Sequence, residues 1–409
     1  MKSLIIGQSG GPTSVINGSL AGVYSEAKKL GFDKVYGMRN GIEGLLEERI
    51  VDLDEYLNSE ENLELLKRTP SSFLGTCRFK LGKIEDHEDI YKKIFEILDK
   101  HEIDSFIYIG GNDSMDTVES LSDYAEMHKK HQNFIGVPKT IDNDLPVTDH
   151  CPGFGSACKY IATTLREVIT DNTCYGSTKP TVAIIEIMGR HAGWLTAAAA
   201  LAKDETCPGV DAIYLPEVSF DIDTFVSNVE NLLKKKSNIA IAVSEGIRTP
   251  DRKFVCELLD TNLMTDSFGH KELLGCADAL SRILRDRLGV KTRPITLSSL
   301  QRAGAHLASK RDLDEAIKCG ELGAKLAYNG ESGKMVIMTR KPGKKYSVKY
   351  EVFDDIHKIA NVEKKIPMDW IDVENNYVTE DVVEYIKPLI QGDVKQITKD
   401  GLPQYLILK

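Results

Sequence analysis

Two aspartates one residue apart, Asp142 and Asp144, follow a short apolar run from Phe134 to Val137, with Lys139 and Thr140 immediately upstream. The run reads as a buried strand, so the segment Pro138-Lys139-Thr140-Ile141-Asp142-Asn143-Asp144 leaves its C-terminal end. A carboxylate placed there can remove a proton while a cation and a hydroxyl hold charged oxygens. That combination suits phosphoryl transfer, which demands positioning, charge neutralisation and a base near the nucleophile. On spacing alone, a polar turn whose aspartates cap the next helix fits equally well.

Two glycine turns add to this. Gly7-Gln8-Ser9-Gly10-Gly11-Pro12 ends a strand and precedes a helix, so its backbone N–H groups can cradle phosphate oxygens. No Gly-Lys-Ser/Thr follows, and the spacing is not that of a dinucleotide fingerprint, which disfavours a dehydrogenase. Gly110-Gly111-Asn112-Asp113-Ser114 is the stronger signal. Its double glycine lets backbone approach a ligand, and a helix starts there with its positive dipole end towards that ligand. Asn112 and Asp113 offer oxygens to a magnesium ion, which takes few protein carboxylates beside phosphate and water. Asp113 or Ser114 acting only as a helix cap is the plainer alternative.

The elements that must position these residues alternate. Strands are expected at Ser3–Ile6, Asp104–Ile109, Phe134–Val137, Thr181–Ile187, Asp211–Leu215, Ile239–Val243 and Thr292–Leu297. Helices are expected at Ser14–Leu30, Ser114–Lys130, Gly153–Thr170 and His191–Ala202. Short apolar strands between amphipathic helices mean parallel sheets covered on both faces, with ligands beyond the C-terminal strand ends. Six motifs lie at such ends: Gly7 to Pro12, Gly110 to Ser114, Pro138 to Asp144, Met188 to Arg190, Glu245-Gly246 and Leu297 to Gly304. Beyond Gly330 the pattern loosens into a strand at Met335–Arg340, a lysine-rich hairpin near Lys341 to Tyr350 and an acidic helical tail.

The chain has 409 residues, more than one core usually covers, so two domains are expected. No low-complexity linker separates them, which implies interleaved halves. A net charge of −10 argues against general nucleic-acid or anionic-membrane binding. The eight cysteines are scattered with no Cys-x-x-Cys pair, as reduced apolar residues rather than a disulfide frame or zinc site. The N-terminus meets glycines at once, without a signal-peptide core. No apolar run reaches the roughly 20 residues of a membrane span. A cytoplasmic protein is expected.

The ordered set Ser9-Gly10-Gly11, Phe73-Leu74-Gly75-Thr76-Cys77-Arg78, Gly110 to Ser114, Pro138 to Asp144, Met188-Gly189-Arg190, Pro216-Glu217-Val218, Glu245-Gly246 and Gln301-Arg302 resembles the phosphofructokinase family from about Met1 to Tyr328. The resemblance implies an α/β fold of two interleaved doubly wound domains with mainly parallel sheets and a C-terminal extension. It implies a phosphoryl-donor domain of residues 1–145 and about 260–307, a sugar-phosphate domain of 146–259 and about 308–330, and an extension of 331–409. By the same resemblance Asp142 is the base at the sugar 1-hydroxyl. Asp144 holds Mg2+ or the base, and Thr140 contacts the transferred group. Gly11 and Arg78, with Asp113 and Ser114, meet the donor, and Met188, Gly189, Arg190, Glu245 and Arg302 meet the sugar phosphate. Arg293 reaches the 6-phosphate in a neighbouring subunit, which implies a homodimer or homotetramer with shared active sites.

Two positions bear on the donor. ATP-using members resembling the bacterial allosteric enzyme carry glycine at Asp113 and at Lys139, whereas pyrophosphate users carry aspartate and lysine. A carboxylate at Asp113 repels the α-phosphate of ATP, and Lys139 meets pyrophosphate as a point charge. The resemblance therefore implies a pyrophosphate-dependent enzyme acting reversibly on fructose 6-phosphate. The chain departs from the pattern at Asn112 (usually aspartate), Thr181 (often arginine, with Lys179 a substitute cation), Ser299 (histidine) and Ala303 (glycine). Ala21 replaces a first-helix arginine of allosteric members, so no regulation by ADP or phosphoenolpyruvate is expected. An ATP-dependent or donor-flexible kinase of fructose 6-phosphate or sedoheptulose 7-phosphate is the alternative. A non-catalytic regulatory subunit is disfavoured by the presence of Asp142 and Asp144. His191 is expected to be a structural donor rather than an acid, and Trp194 and Trp370 carry no readable message.

Overall fold

The computed structural model describes residues 2–174, 179–258, 273, 275–343, 345–359 and 362–408. Its principal strands are β1 (Ser3–Gln8), β2 (Lys34–Met38), β3 (Ile50–Asp52), β4 (Ser105–Gly110), β5 (Asn133–Pro138), β6 (Thr181–Ile187), β7 (Ala212–Tyr214), β8 (Asn238–Ser244), β9 (Lys291–Thr296), β10 (Lys334–Arg340) and β11 (Val348–Phe353). They form a seven-stranded sheet of order β11-β10-β5-β4-β1-β2-β3 and a four-stranded sheet of order β7-β8-β6-β9. The chain divides into two compact units interleaved in sequence. The first holds Met1–Ser156, Arg302–Val362 and Gln391–Lys409, and the second Ala157–Gln301 and Glu363–Ile390.

In the first unit β2, β1, β4, β5 and β10 are parallel, while β3 and β11 close the edges antiparallel. The central strands are apolar on both sides because helices cover both faces. Leu4, Ile6, Ile107, Ile109, Ile135 and Val137 pack towards helices Ile16–Leu30 and Lys310–Tyr328. Their neighbours Ile5, Phe106, Tyr108 and Phe134 point to the opposite layer, towards helices Glu88–Lys100 and Asn112–Met127, as the two-residue strand period requires. Helices 16–30 and 310–328 cross closely. A Cβ on Gly22 would lie 2.2 Å from the Ile317 carbonyl oxygen, and one on Gly320 would lie 2.1 Å from that of Ser19.

In the second unit the four strands are all parallel. Val182 and Ile184 of β6 pack with Phe225 and Val229 of helix Ile222–Leu233 and with Leu280 and Leu284 of helix Cys276–Leu288. Trp194 packs edge-on to Trp370 at 6.2 Å between centroids, and Tyr385 lies 5.2 Å from Trp194, so the two tryptophans share one aromatic cluster.

Five expectations are corrected. Residues 276–301 do not join the donor unit, because β9 pairs along β6 in the second unit's sheet; residues 260–272 lie outside the described ones. Residues 308–330 join the first unit, because helix 310–328 crosses helix 16–30 closely through Gly22 and Gly320 and packs with Ile107, Ile135 and Val137 of the first sheet. The segment 331–409 is not a separate extension: β10 and β11 extend the first sheet, while 363–390 belong to the second unit. Finally, the stretch 191–202 is helical only as Trp194–Ala197 with a 3-10 turn to Ala202, since Gly193 donates its N–H to a side chain, and the acidic tail is helical only at Glu380–Ile386, where Pro388 and Gly392 follow. Among the described residues no disulfide forms, and no helix is long and apolar enough to cross a membrane.

Candidate active site

In the first unit the motifs at the ends of β1, β4 and β5 converge, because parallel neighbours present their C-terminal ends together. Gly10 takes φ 75°, which glycine adopts without a Cβ penalty, and its N–H donates to the Cys77 carbonyl at 3.3 Å. The Thr76 hydroxyl donates back to the Gly10 carbonyl at 2.7 Å, so the 73–78 segment carrying Arg78 is tied to the glycine turn. Lys139 is only 2 % exposed and donates from Nζ to the Gly11 carbonyl at 2.8 Å. A Cβ on Gly11 would lie 3.4 Å from Arg302 Nη1, which brings Arg302 to the same turn.

The 110–114 turn lies against the next one: a Cβ on Gly111 would be 3.6 Å from the Lys139 carbonyl oxygen. Ser114 is buried in the first turn of helix 112–127, whose N-terminal N–H groups suit an anion. Asp113 stands at the same helix start and pairs with Lys80 at 3.4 Å, both partly exposed. The Asn112 amide nitrogen donates to the Val362 carbonyl at 2.8 Å. Asn112 offers an amide oxygen and Asp113, the next residue, a carboxylate, hard oxygen donors of the kind Mg2+ takes.

The segment after β5 is held by its own backbone partners. The Thr140 hydroxyl accepts from Asp142 N–H at 3.0 Å, and Thr140 N–H donates to the Pro152 carbonyl at 3.2 Å. Asn143 sits at φ 54° with its Oδ1 accepting from Cys151 N–H at 3.1 Å, which turns Asp142 and Asp144 away from the core side occupied by Asn143. Burial is the largest influence on Lys139 and lowers its pKa to about 8; Asp142 and Asp144 oppose that shift and Arg302 adds to it. A buried cation whose direct partner is a carbonyl is suited to receive anionic oxygens.

In the second unit Met188, Gly189 and Arg190 follow β6 and meet the 245–246 turn that follows β8. Gly189, at φ 139°, donates its N–H to Glu245 Oε1 at 3.3 Å. Met188 N–H donates to Gln301 Oε1 at 3.3 Å. A Cβ on Gly246 would lie 2.0 Å from the Arg190 carbonyl oxygen, so the two turns touch through backbone. His191 pairs through Nδ1 with Glu363 at 2.8 Å. Arg293 is not brought to this loop within its own chain. It lies level with Ala183 in β6 and pairs with Asp171 at 3.0 Å. Met188 comes five residues later, on the order of 16 Å along a strand.

Sequence reasoning missed several supports. Gln8 and Asn17, both fully buried, donate and accept through their amides to anchor Phe73 and Leu74 N–H at 3.0 and 2.9 Å. Glu217, read from the sequence only as part of the motif Pro216-Glu217-Val218, accepts from Gly193 N–H at 2.8 Å and orders the loop after Arg190. Asp312 accepts from the N–H groups of Gly153 and Ser156 at 2.9 and 2.8 Å. A buried amide in an apolar helix was the one readable signal, at Asn17.

Comparison with known proteins agrees with the geometry. Residues 3–321 match the family described as Phosphofructokinase. The pyrophosphate–fructose 6-phosphate 1-phosphotransferase of Xanthomonas campestris pv. campestris is 40 % identical over 408 residues, covering 100 % of this chain and 96 % of its own. The enzyme of the same name from Methylococcus capsulatus is 37 % identical over 410 residues, again 100 % and 96 %. The crystal structure of a pyrophosphate-dependent phosphofructokinase from Nitrosospira multiformis superposes with a TM-score of 0.89 at 35 % identity, over 100 % of this chain and 96 % of that one. With the match over residues 3–321 and relatives 37–40 % identical along its whole length, the chain belongs to the phosphofructokinase family.

Proposed function

We propose that the protein transfers a phosphoryl group reversibly from pyrophosphate to the 1-hydroxyl of fructose 6-phosphate, giving fructose 1,6-bisphosphate and phosphate. Lys139 is the observation that carries this reading. It is a buried cation at the donor glycines, on a chain that aligns end to end with relatives named for that reaction. Asp113 supports it, because a carboxylate at the start of helix 112–127 repels the α-phosphate of ATP.

Asp142 removes the proton of the 1-hydroxyl as that oxygen bonds to phosphorus. The bridging P–O bond of pyrophosphate breaks, and its electron pair leaves with phosphate. Lys139, Arg78 and the N–H groups of Gly11 and Ser114 hold the charged oxygens, while Thr140 contacts the transferred group. Asn112 and Asp113, with Asp144, would hold magnesium, and the ion would supply charge neutralisation at the phosphate oxygens. Met188, Gly189, Arg190, Glu245 and Arg302 bind the sugar phosphate, and Arg293 serves the substrate of a neighbouring subunit in a homodimer or homotetramer. A cytoplasmic location fits this reading and the net charge of −10, and among the described residues no helix is long and apolar enough to cross a membrane.

The test is a steady-state assay of the purified protein with fructose 6-phosphate, magnesium and either pyrophosphate or ATP. Pyrophosphate is expected to give the higher kcat/KM; a higher value with ATP overturns the donor assignment. Sedoheptulose 7-phosphate belongs in the same assay as a second acceptor, because the family resemblance implies histidine where Ser299 stands and often arginine where Thr181 stands.

A further inference from the structure

A second cluster of charge lies just beyond the phosphoryl-transfer segment, and no step above uses it. His150, 1 % exposed, is held between two carboxylates. Its Nδ1 lies 2.8 Å from Asp149 Oδ2, and its Nε2 lies 2.8 Å from Glu315 Oε2 on helix 310–328. Each carboxylate has a further partner on the hairpin of β10 and β11. Arg340 reaches Asp149 at 3.0 Å, and the Tyr346 hydroxyl donates to Glu315 Oε1 at 2.7 Å. Backbone repeats the attachment: Asp149 N–H donates to the Met338 carbonyl at 2.7 Å, and Met338 N–H donates to the Thr148 hydroxyl at 3.0 Å.

The residues so anchored are the ones against which the catalytic segment is built. Asn143, between Asp142 and Asp144, accepts from Cys151 N–H, and Thr140 N–H donates to the Pro152 carbonyl. Asp312, one turn before Glu315 on the same helix, fixes Gly153 and Ser156. Displacement of residues 148–153 is therefore displacement of Thr140, Asp142 and Asp144, and a misplacement of about 1 Å costs roughly 100-fold in rate.

We propose that His150 is a positioning residue for phosphoryl transfer: paired with Asp149 and Glu315, it locks the 148–153 segment to helix 310–328 and to the β10–β11 hairpin, and thereby aims Asp142 and Asp144. The C-terminal hairpin thus has a role in catalysis without touching substrate. The proposal rests on Asp142 being the base.

The experiment compares wild type with His150→Gln, Glu315→Gln, Tyr346→Phe and Asp142→Asn. Active-enzyme concentration is corrected for folded fraction by near-ultraviolet circular dichroism, and kcat and both KM values are measured. His150→Gln and Glu315→Gln are expected to lower kcat about 10- to 100-fold while both KM values stay within about twofold. Tyr346→Phe, at the rim of the cluster, is expected to lower kcat by less, and it keeps the test decisive if the inner variants do not fold. Unchanged kcat per folded molecule in the variants that fold overturns the proposal, as does a loss confined to KM. An Asp142→Asn enzyme with full activity instead sinks the base assignment, whatever the His150 variants show.

Discussion

Lys139 and His150 lie eleven residues apart, and each is almost wholly buried, at 2 % and 1 % exposure. Their acidities move in opposite directions. Burial dominates at Lys139 and brings it down to about 8. At His150 burial acts in the same sense, but direct hydrogen bonds to Asp149 and Glu315 outweigh it and lift the group to about 9. One cation is hydrogen-bonded directly to its two counter-charges; the other has a carbonyl as its direct partner, with Asp142, Asp144 and an arginine acting on it through charge alone. The difference separates a charge that organises the fold from a charge kept for a ligand, since unpaired buried charge is costly unless something anionic arrives.

Variants can break that contrast. The largest effect is expected from Asp142→Asn, which should lower kcat by about 100- to 10,000-fold while the melting temperature changes little. If it unfolds the protein instead, the carboxylate near Lys139 is structural, as those at His150 are. Next comes the pair His150→Ala and Lys139→Met. The first strips a buried pair of its cation and should destabilise by about 3–5 kcal/mol. The second should leave stability unchanged or raised while kcat/KM for pyrophosphate falls by at least about tenfold. Denaturant melts alongside the pyrophosphate assay check both, and equal destabilisation by the two would erase the distinction.

A smaller effect concerns pH. The raised pKa of His150 contributes stability that is complete below its unfolded value of about 6.5 and is lost as pH rises through about 9. Lys139 has the opposite sign: its penalty is present below about 8 and is relieved as pH climbs towards the unfolded value of about 10.4. Melts of wild type and Lys139→Met between pH 6.5 and 10 should therefore diverge above pH 8, with wild type recovering relative to the variant. Parallel curves would contradict the assignment. The smallest effect is at His357, which also lies between two carboxylates, Glu119 and Asp123, but is 56 % exposed. His357→Ala should cost no more than about 1 kcal/mol, because solvent screens an exposed pair.

Much of the site was legible because its signals are local. A short apolar strand, a glycine turn and a polar strand end are each read within a dozen residues, and parallel strands bring their C-terminal ends together whatever the order of the sheet. Gly10, Gly11, Lys139, Asp113, Met188 and Glu245 were all placed at strand ends in this way, and the strands do end beside them. The supports were not legible for the converse reason. Gln8 and Asn17 meet Phe73 and Leu74 more than 50 residues away, and nothing about an isolated glutamate at 315 marks it as the partner of His150.

Domain membership failed at the same point. Helix 310–328 carries no sign of which unit it joins; the crossing at Gly22 and Gly320 decides it, by letting two backbones approach where any side chain would clash. The sequence by itself determined the strands, the turns and the chemistry they can support, because those depend on neighbouring residues. Only the tertiary structure decided which distant elements hold the 138–144 segment in place and which buried cation is neutralised from within. Those outcomes depend on chain returns of a hundred residues and more, for which no local pattern exists.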